Sequence, residues 1–327
     1  MSIASFPAKA VIVTGPTASG KTELLDAVFG RGASSFFAAL NIAARGRTNI
    51  PDSAEILSAD SMQAYRGMDI GTAKPSPEIL SRLPHHLIDF KNPDEQYTAG
   101  EFVRLADALC ATLGSRNVLP VVSGGTGFYI RNFLCGSPSA PPSNPAIREK
   151  VAGDLAEFGI EALRRELQSV DPVSSERIGE GDVYRLTRAI EILRTSGEPP
   201  SRFAPAKRTR EAYEFLVIGI ERPREELKER IGERVDAMFA AGLPNEIAAL
   251  AAAGCDASCP GLKAIGYREF FEMEGASHAS IAEAIKLHTR QYAKRQMTFL
   301  RALPGIVWIK PDSAALAALL TDFLSAA

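Results

Sequence analysis

Short apolar bursts ending in small polar residues mark the first half of the chain, whereas apolar residues at helical spacing dominate the second half. Residues 9–13 (KAVIV) predict a buried strand that runs straight into GPTASGKT and then into a helix, the opening of a parallel α/β unit. A second burst at Ile56 and Leu57 stops at SADS (58–61), and a third, VLPVV at 118–122, stops at SGGTG (123–127). In an open parallel sheet the loops at the carboxyl ends of the strands converge, so these three distant segments are expected to share one site. The stretch YEFLVIGI (213–220) predicts a strand that rejoins the sheet.

Between residues 137–145 (SPSAPPSNP) and 197–205 (GEPPSRFAP), two linker-like breaks enclose three helical stretches, at 145–158, 160–170 and 183–196. The expected organisation is a P-loop core with a parallel sheet flanked by helices, plus a small all-helical insert domain. Its expected segments are 1–140 for the first part of the core, 141–205 for the insert and 206–327 for the second part. Leu227, Ile231, Val235 and Met238 give 225–240 the spacing of an amphipathic helix, and 281–303 is helical in pattern. Residues 30–52 are the least structured in composition, although Phe36 and Phe37 suggest some packing.

Composition narrows the class without naming a reaction. With 327 residues, 46% hydrophobic and 23% charged, the chain can bury a sizeable core. A formal net charge of -2 gives no overall attraction to a polyanion, so any nucleic-acid site must be a local cluster of Lys and Arg. Four scattered cysteines, with Cys255 and Cys259 lacking a second pair at metal spacing, argue against a disulfide scaffold or a zinc site. An N-terminus without an apolar signal region, and no apolar run of membrane length, point to a cytoplasmic, membrane-free protein.

The chemistry begins at Gly15, Pro16, Thr17, Ala18, Ser19, Gly20, Lys21 and Thr22, which match G-x-x-x-x-G-K-[ST] between a predicted strand and helix. Glycines let backbone N–H groups curl around phosphate oxygens, the helix N-terminus adds positive potential, Lys21 neutralises charge and the Thr22 hydroxyl can hold Mg²⁺. Such a cradle specifies phosphate and not a reaction. It serves phosphoryl transfer in kinases, and it serves equally to stabilise a departing diphosphate.

Several longer strings decide between these uses. Beside the P-loop stand DSMQAYRGMDIGTAKP (60–75), HHLIDF (85–90), GGTGFY (124–129), RLTRAIEI (185–192), KAIGYRE (263–269) and QYAKRQMTFLR (291–301). Together they resemble the bacterial tRNA dimethylallyltransferases over nearly the whole chain. The resemblance implies transfer of a dimethylallyl group from dimethylallyl diphosphate to N6 of the adenosine 3′-adjacent to the anticodon in tRNA, releasing diphosphate. It implies residues 17–22 on the diphosphate, Asp60 beside the adenine amine, and Thr126 and Arg148 at the active centre or on the tRNA. It also puts Asp60, Ser61, Met62 and Gln63 against the tRNA. The segment 30–52 departs from the family, whose members pass from the P-loop helix to the DS string in a short span.

Read by themselves, the residues are consistent with this chemistry. An exocyclic adenine amine is a weak nucleophile, and a carboxylate such as Asp60 that accepts its proton meets the need; the competing use of an Asp after a strand is to cap the next turn. Asp89 resembles a metal-side carboxylate or a structural acid, and His85 and His86 have no partner at metal spacing. Lys286, Arg290 and Lys294 recur at i+4, with Arg295 nearby and Tyr292, Gln296 and Phe299 interleaved, a pattern suited to an RNA loop as well as to a solvated face. Arg185 and Arg188 in the insert, and Lys263, Tyr267 and Arg268, add candidate contacts. The expected partners are tRNA and dimethylallyl diphosphate, the cofactor Mg²⁺ and the assembly a monomer. A small-molecule kinase explains the P-loop without the other strings, and a non-catalytic RNA-binding protein would leave Asp60 dispensable.

Overall fold

The computed structural model describes residues 8–30, 36–43, 50–203 and 208–326. Its strands are β1 (Ala8–Thr14), β2 (Ser53–Ser58), β3 (His85–His86), β4 (Val118–Gly124), β5 (Tyr213–Ile220) and β6 (Ile306–Ile309). They form a single sheet in the order β3-β2-β4-β1-β5-β6, and each neighbouring pair is parallel. The central strands are near-continuous apolar runs because both faces of a parallel sheet are covered; Ala10 through Val13 have no exposed surface at all.

Alternate residues divide between the faces. On one side Val11, Val13, Ile56, Leu119, Val121, Ile218 and Ile220 pack with Leu24, Leu25 and Val28 of the Lys21–Phe29 helix and Leu316, Leu320 and Leu324 of the Ser313–Ser325 helix. Burying one such side chain contributes about 1.5–3 kcal/mol, so the packing on this face supports the P-loop strand. The helix Phe36–Ala43 joins the same core: Phe37 stacks on Phe29 at 5.7 Å and Phe36 meets Phe37 edge-on at 5.1 Å. The low-complexity look of this segment therefore conceals an aromatic anchor, while residues 31–35 and 44–49 lie outside the described residues.

Residue contacts separate Cys135–Arg208 from the rest of the chain as a second unit. It has its own core of Val151, Leu163, Leu167, Ile178, Leu186, Ala189, Ile190 and Leu193. Asn144 caps the Pro145–Val170 helix by accepting from the N–H groups of Ala146 and Ile147, and Gly159 interrupts that helix at φ 76°. Asp182 caps the Val183–Ser196 helix, which Gly197 ends in the left-handed conformation. Arg194 ties the helices of this unit together through Glu166 and Asp154, at 2.6 and 2.5 Å.

Two strands escaped the apolar pattern, for different reasons. β3 consists of two histidines held by pairing with Ile56 and Leu57, and β6 is too short for periodicity to separate it from the helix before it. Among the described residues no helix is long and apolar enough to cross a membrane.

Candidate active site

A cleft of about 540 Å³ opens where the loops after β1, β2 and β4 meet, lined by residues 17–23, Asp60, Gln63, Lys74, Gly124, Gly125, Arg230, Arg234, Tyr292 and Gln296 among others. Its size is that of a small-molecule ligand site. The P-loop takes its shape from backbone conformations that few side chains tolerate: Ala18 at φ 62° and Gly20 at φ 89°. At Gly15 a Cβ would lie 2.7 Å from the carbonyl oxygen of Ile220, so β5 can approach the loop only over a glycine.

Lys21 Nζ donates to the carbonyls of Gly15 and Pro16, both at 2.9 Å, and to Ser19 Oγ at 3.3 Å. Burial of its ammonium, reinforced by the like charge of Arg234 and opposed by Asp60 and Glu23, lowers its pKa from 10.5 to about 8. Arginines from the connection after β5 and from the following helix, Arg224–Ala240, surround the loop. Arg222 Nε donates to the Ser19 carbonyl at 2.8 Å and Arg230 Nε to the Ala18 carbonyl at 2.9 Å. Arg234 lines the same cleft, and burial depresses its guanidinium pKa against the pull of Asp60 and Glu23.

Asp60 stands at the end of β2 and serves both uses open to such a residue. Its Oδ1 accepts the Met62 N–H at 2.9 Å, capping the turn, while the residue lines the cleft and interacts electrostatically with Lys21, Arg234 and Tyr292. Thr126 fixes this loop: its Oγ1 accepts the Ser61 N–H at 3.0 Å and donates to Ser61 Oγ at 3.4 Å. Close approach also demands Gly124, where a Cβ would sit 2.2 Å from the Ala59 carbonyl oxygen. Gln63 bonds Ser58 Oγ and the carbonyls of Thr72 and Ala73, so it ties β2 to the turn that carries Lys74. Ser61 and Met62 are half-buried beside it.

The remaining candidates separate by exposure and partner. Tyr267 is fully buried, a correction to its expected RNA contact: its ring fills the space beside Gly71 and its hydroxyl donates to Glu246 at 2.6 Å. Lys263, Lys294 and Arg295 are exposed, and Arg290 is half-buried; Arg268 bonds buried Glu269 at 3.2 Å. The basic stripe begins later than its spacing suggested, because Lys286 is held by Asp236 at 2.7 Å and Glu283 at 3.0 Å, and those carboxylates raise its pKa. In the helical unit Arg148 bonds Ser143 Oγ, and Arg185 is exposed near Asp182. Arg188 is a structural tie there, donating to the Pro141 carbonyl at 2.7 Å and pairing with Glu191 at 2.9 Å. Asp89 is partnered by the buried ammonium of Lys74, which also bonds Asp69 and the Tyr65 carbonyl at 2.6 Å each.

Glu246 organises the 69–71 turn. Its carboxylate accepts the N–H groups of Asp69, Ile70 and Gly71 at 2.9, 2.7 and 3.2 Å, together with the Tyr267 hydroxyl. Removing that acceptor strands several donors at once. Glu246→Ala is therefore expected to destabilise the fold by about 3 kcal/mol, given about 1 kcal/mol for each of the three part-buried donors at Ile70, Gly71 and Tyr267. Urea unfolding would show the midpoint fall at unchanged slope; an unmoved midpoint would refute the role.

Arg222, Arg230, Arg234 and Lys74 were not foreseen as site residues. A usable signal existed for two of them: Arg230 and Arg234 stand four apart, flanking buried Ile231 and Val235, which sets them on one edge of the helix face turned to the core.

A parallel α/β sheet with a phosphate cradle after its first strand, and a carboxylate facing that cradle, defines a P-loop enzyme of the phosphate- or diphosphate-handling class. Residues 63–303 match the model of a family described as IPP transferase, and the chain belongs to that family. It is 38% identical over 311 residues to tRNA dimethylallyltransferase 1 of Trichlorobacter lovleyi, covering 94% of this chain and 95% of that one. It is 41% identical over 304 residues to the tRNA dimethylallyltransferase of Geobacter metallireducens, covering 92% of each. The solved tRNA isopentenylpyrophosphate transferase of Bacillus halodurans matches with a TM-score of 0.64 at 30% identity, over 97% of this chain and 96% of that one. A eukaryotic dimethylallyltransferase shares the fold, with a TM-score of 0.74 at 23% identity over 94% of this chain and 75% of that one.

Proposed function

We infer that this enzyme transfers a dimethylallyl group from dimethylallyl diphosphate to N6 of the adenosine 3′-adjacent to the anticodon of tRNA, giving N6-isopentenyladenosine and diphosphate. The observation that carries the reading is the shared cleft of Lys21 and Asp60, within electrostatic reach of each other at the ends of different strands. In the reaction the amine nitrogen bonds to the dimethylallyl C1 as the C1–O bond breaks and its electron pair leaves with the diphosphate. Asp60 accepts the amine proton, which compensates for a lone pair delocalised into the ring. Lys21, Arg230 and Arg234 face the charge that develops on the leaving group.

Mg²⁺ fits this donor set. The Thr22 hydroxyl lines the cleft beside Glu23 and Asp60, and a hard cation that keeps most of its waters needs only one or two protein oxygens besides phosphate. Bound there, it would add positive charge on the diphosphate. Exposed Lys294 and Arg295, on the helix that also contributes Tyr292 and Gln296 to the cleft, are the proposed tRNA contacts. The target adenine must leave its stack to reach Asp60, at a cost of about a few kcal/mol.

The test is incubation with unmodified tRNA, Mg²⁺ and dimethylallyl diphosphate labelled in its prenyl group, with a parallel reaction containing ATP and no prenyl donor. Label in tRNA supports transfer. ATP turnover without label transfer would replace this reading by the kinase, and tRNA binding with neither reaction would replace it by a binding protein.

A further inference from the structure

The amide of Gln296 makes two contacts that belong to different strands. Its Oε1 accepts the Thr17 N–H of the P-loop at 2.9 Å, and its Nε2 donates to the Gly125 carbonyl after β4 at 2.8 Å. Gln296 is buried, and it comes from the His278–Leu300 helix, 279 residues away from Thr17 in sequence. A Cβ at Gly125 would lie 2.3 Å from Gln296 Nε2, so a side chain there would push the amide out of this place. One residue later Thr126 holds the Ser61 N–H, and with it the loop of Asp60. Tyr292, one turn earlier on the helix, lines the same cleft.

These bonds form a chain: P-loop, Gln296, β4 loop, Thr126, Asp60 loop. We propose that Gln296 is a positioning residue for the transfer reaction, setting the P-loop in register with the loop that presents the Asp60 carboxylate. A primary amide is the group the place requires. It must accept from one backbone N–H and donate to one backbone carbonyl, which neither a carboxylate nor an apolar side chain of similar length can do. The geometric demand is steep, since errors of about 1 Å between a bound donor and its acceptor cost about 10²-fold in rate. The inference rests on the transfer reading above.

The experiment compares Gln296→Leu and Gln296→Glu with the wild type in single-turnover transfer to tRNA from pH 5.5 to 8.5, at saturating prenyl diphosphate. Gln296→Leu is expected to lose about 10²-fold in the rate of the transfer step at every pH, with tRNA affinity within about twofold. Gln296→Glu introduces a carboxyl whose protonated form restores one acceptor and one donor. Burial raises the pKa of such a group, so its rate relative to the wild type is expected to rise about tenfold or more as the pH falls from 8.5 to 5.5. A packing residue with no positioning role would give a relative rate independent of pH.

Should Gln296→Leu fail to fold, as judged by circular dichroism, Gln296→Glu at low pH remains the neutral isostere and decides the question. A pH-independent Gln296→Glu ratio, or a Gln296→Leu rate within twofold of the wild type, overturns the inference. Wild-type protein that transfers no label overturns the parent reading instead, so the two failures are distinguishable.

Discussion

Asp60→Asn is expected to slow prenyl transfer by about 10³-fold or more, within the range by which a positioned general base accelerates a reaction. The substitution isolates proton acceptance from shape. Asparagine retains an oxygen that can take the Met62 N–H, so the turn after β2 should persist, and the Thr126 bond to the Ser61 N–H does not involve the side chain that changes. The acceptor for the amine proton is lost, together with the negative charge that acts on Lys21 and Arg234. Affinity for tRNA should change little, because the exposed basic residues Lys294 and Arg295 are untouched. Single-turnover transfer with a parallel filter-binding assay would read both quantities, and near-normal turnover would remove Asp60 as the base.

Lys21→Met should carry the second large effect, about 10²–10³-fold in kcat/KM for the prenyl diphosphate, comparable to the loss of one preorganised donor facing developing charge. The pH dependence of the wild type gives an independent check. Because burial and Arg234 hold the free Lys21 at about 8, the charged form is present below that value and lost above it. The kcat/KM for the diphosphate should therefore fall as pH rises through about 8. At saturating donor the bound anion favours the ammonium, so the fall in kcat should lie at higher pH.

The stability linkage has the opposite sign. Between about 8 and 10.5 the folded state binds fewer protons at Lys21 than the unfolded chain does, so this residue's contribution to stability rises with pH across that window. Lys21→Met should abolish both trends. A kcat/KM profile flat from pH 7 to 9.5 in the wild type would contradict the perturbed lysine.

Local signals carried far in this chain. The strand, glycine loop and helix of residues 8–29 were legible because each element has its own periodicity and the phosphate loop its own spacing. The capped helices at 145–170 and 183–196 were legible because Asn144 and Asp182 mark their starts. Asp60 lines the cleft; its place after an apolar burst left base and turn cap equally open, and only the family resemblance favoured the base.

The misreadings follow one physical pattern. A lone sequence cannot say what lies across from a side chain. Tyr267 looked like an RNA contact, yet its ring is buried and its hydroxyl satisfies Glu246, 21 residues earlier. Lys286 looked like the start of a basic stripe, yet Asp236 on another helix neutralises it. Arg230 and Arg234 were not singled out in the sequence, yet they line the cleft with the phosphate loop.

What the sequence determined by itself were the groups bound to neighbours in the chain: the cradle's conformation, the helix caps and the linker breaks. Only the tertiary structure decided which carboxylate, amide and guanidinium meet in one cleft. Gln296 is the clearest case, since its two partners lie 279 and 171 residues away. Hydrogen bonds and ion pairs act over a few ångströms of space, and the strand order alone brings such distant loops within that range.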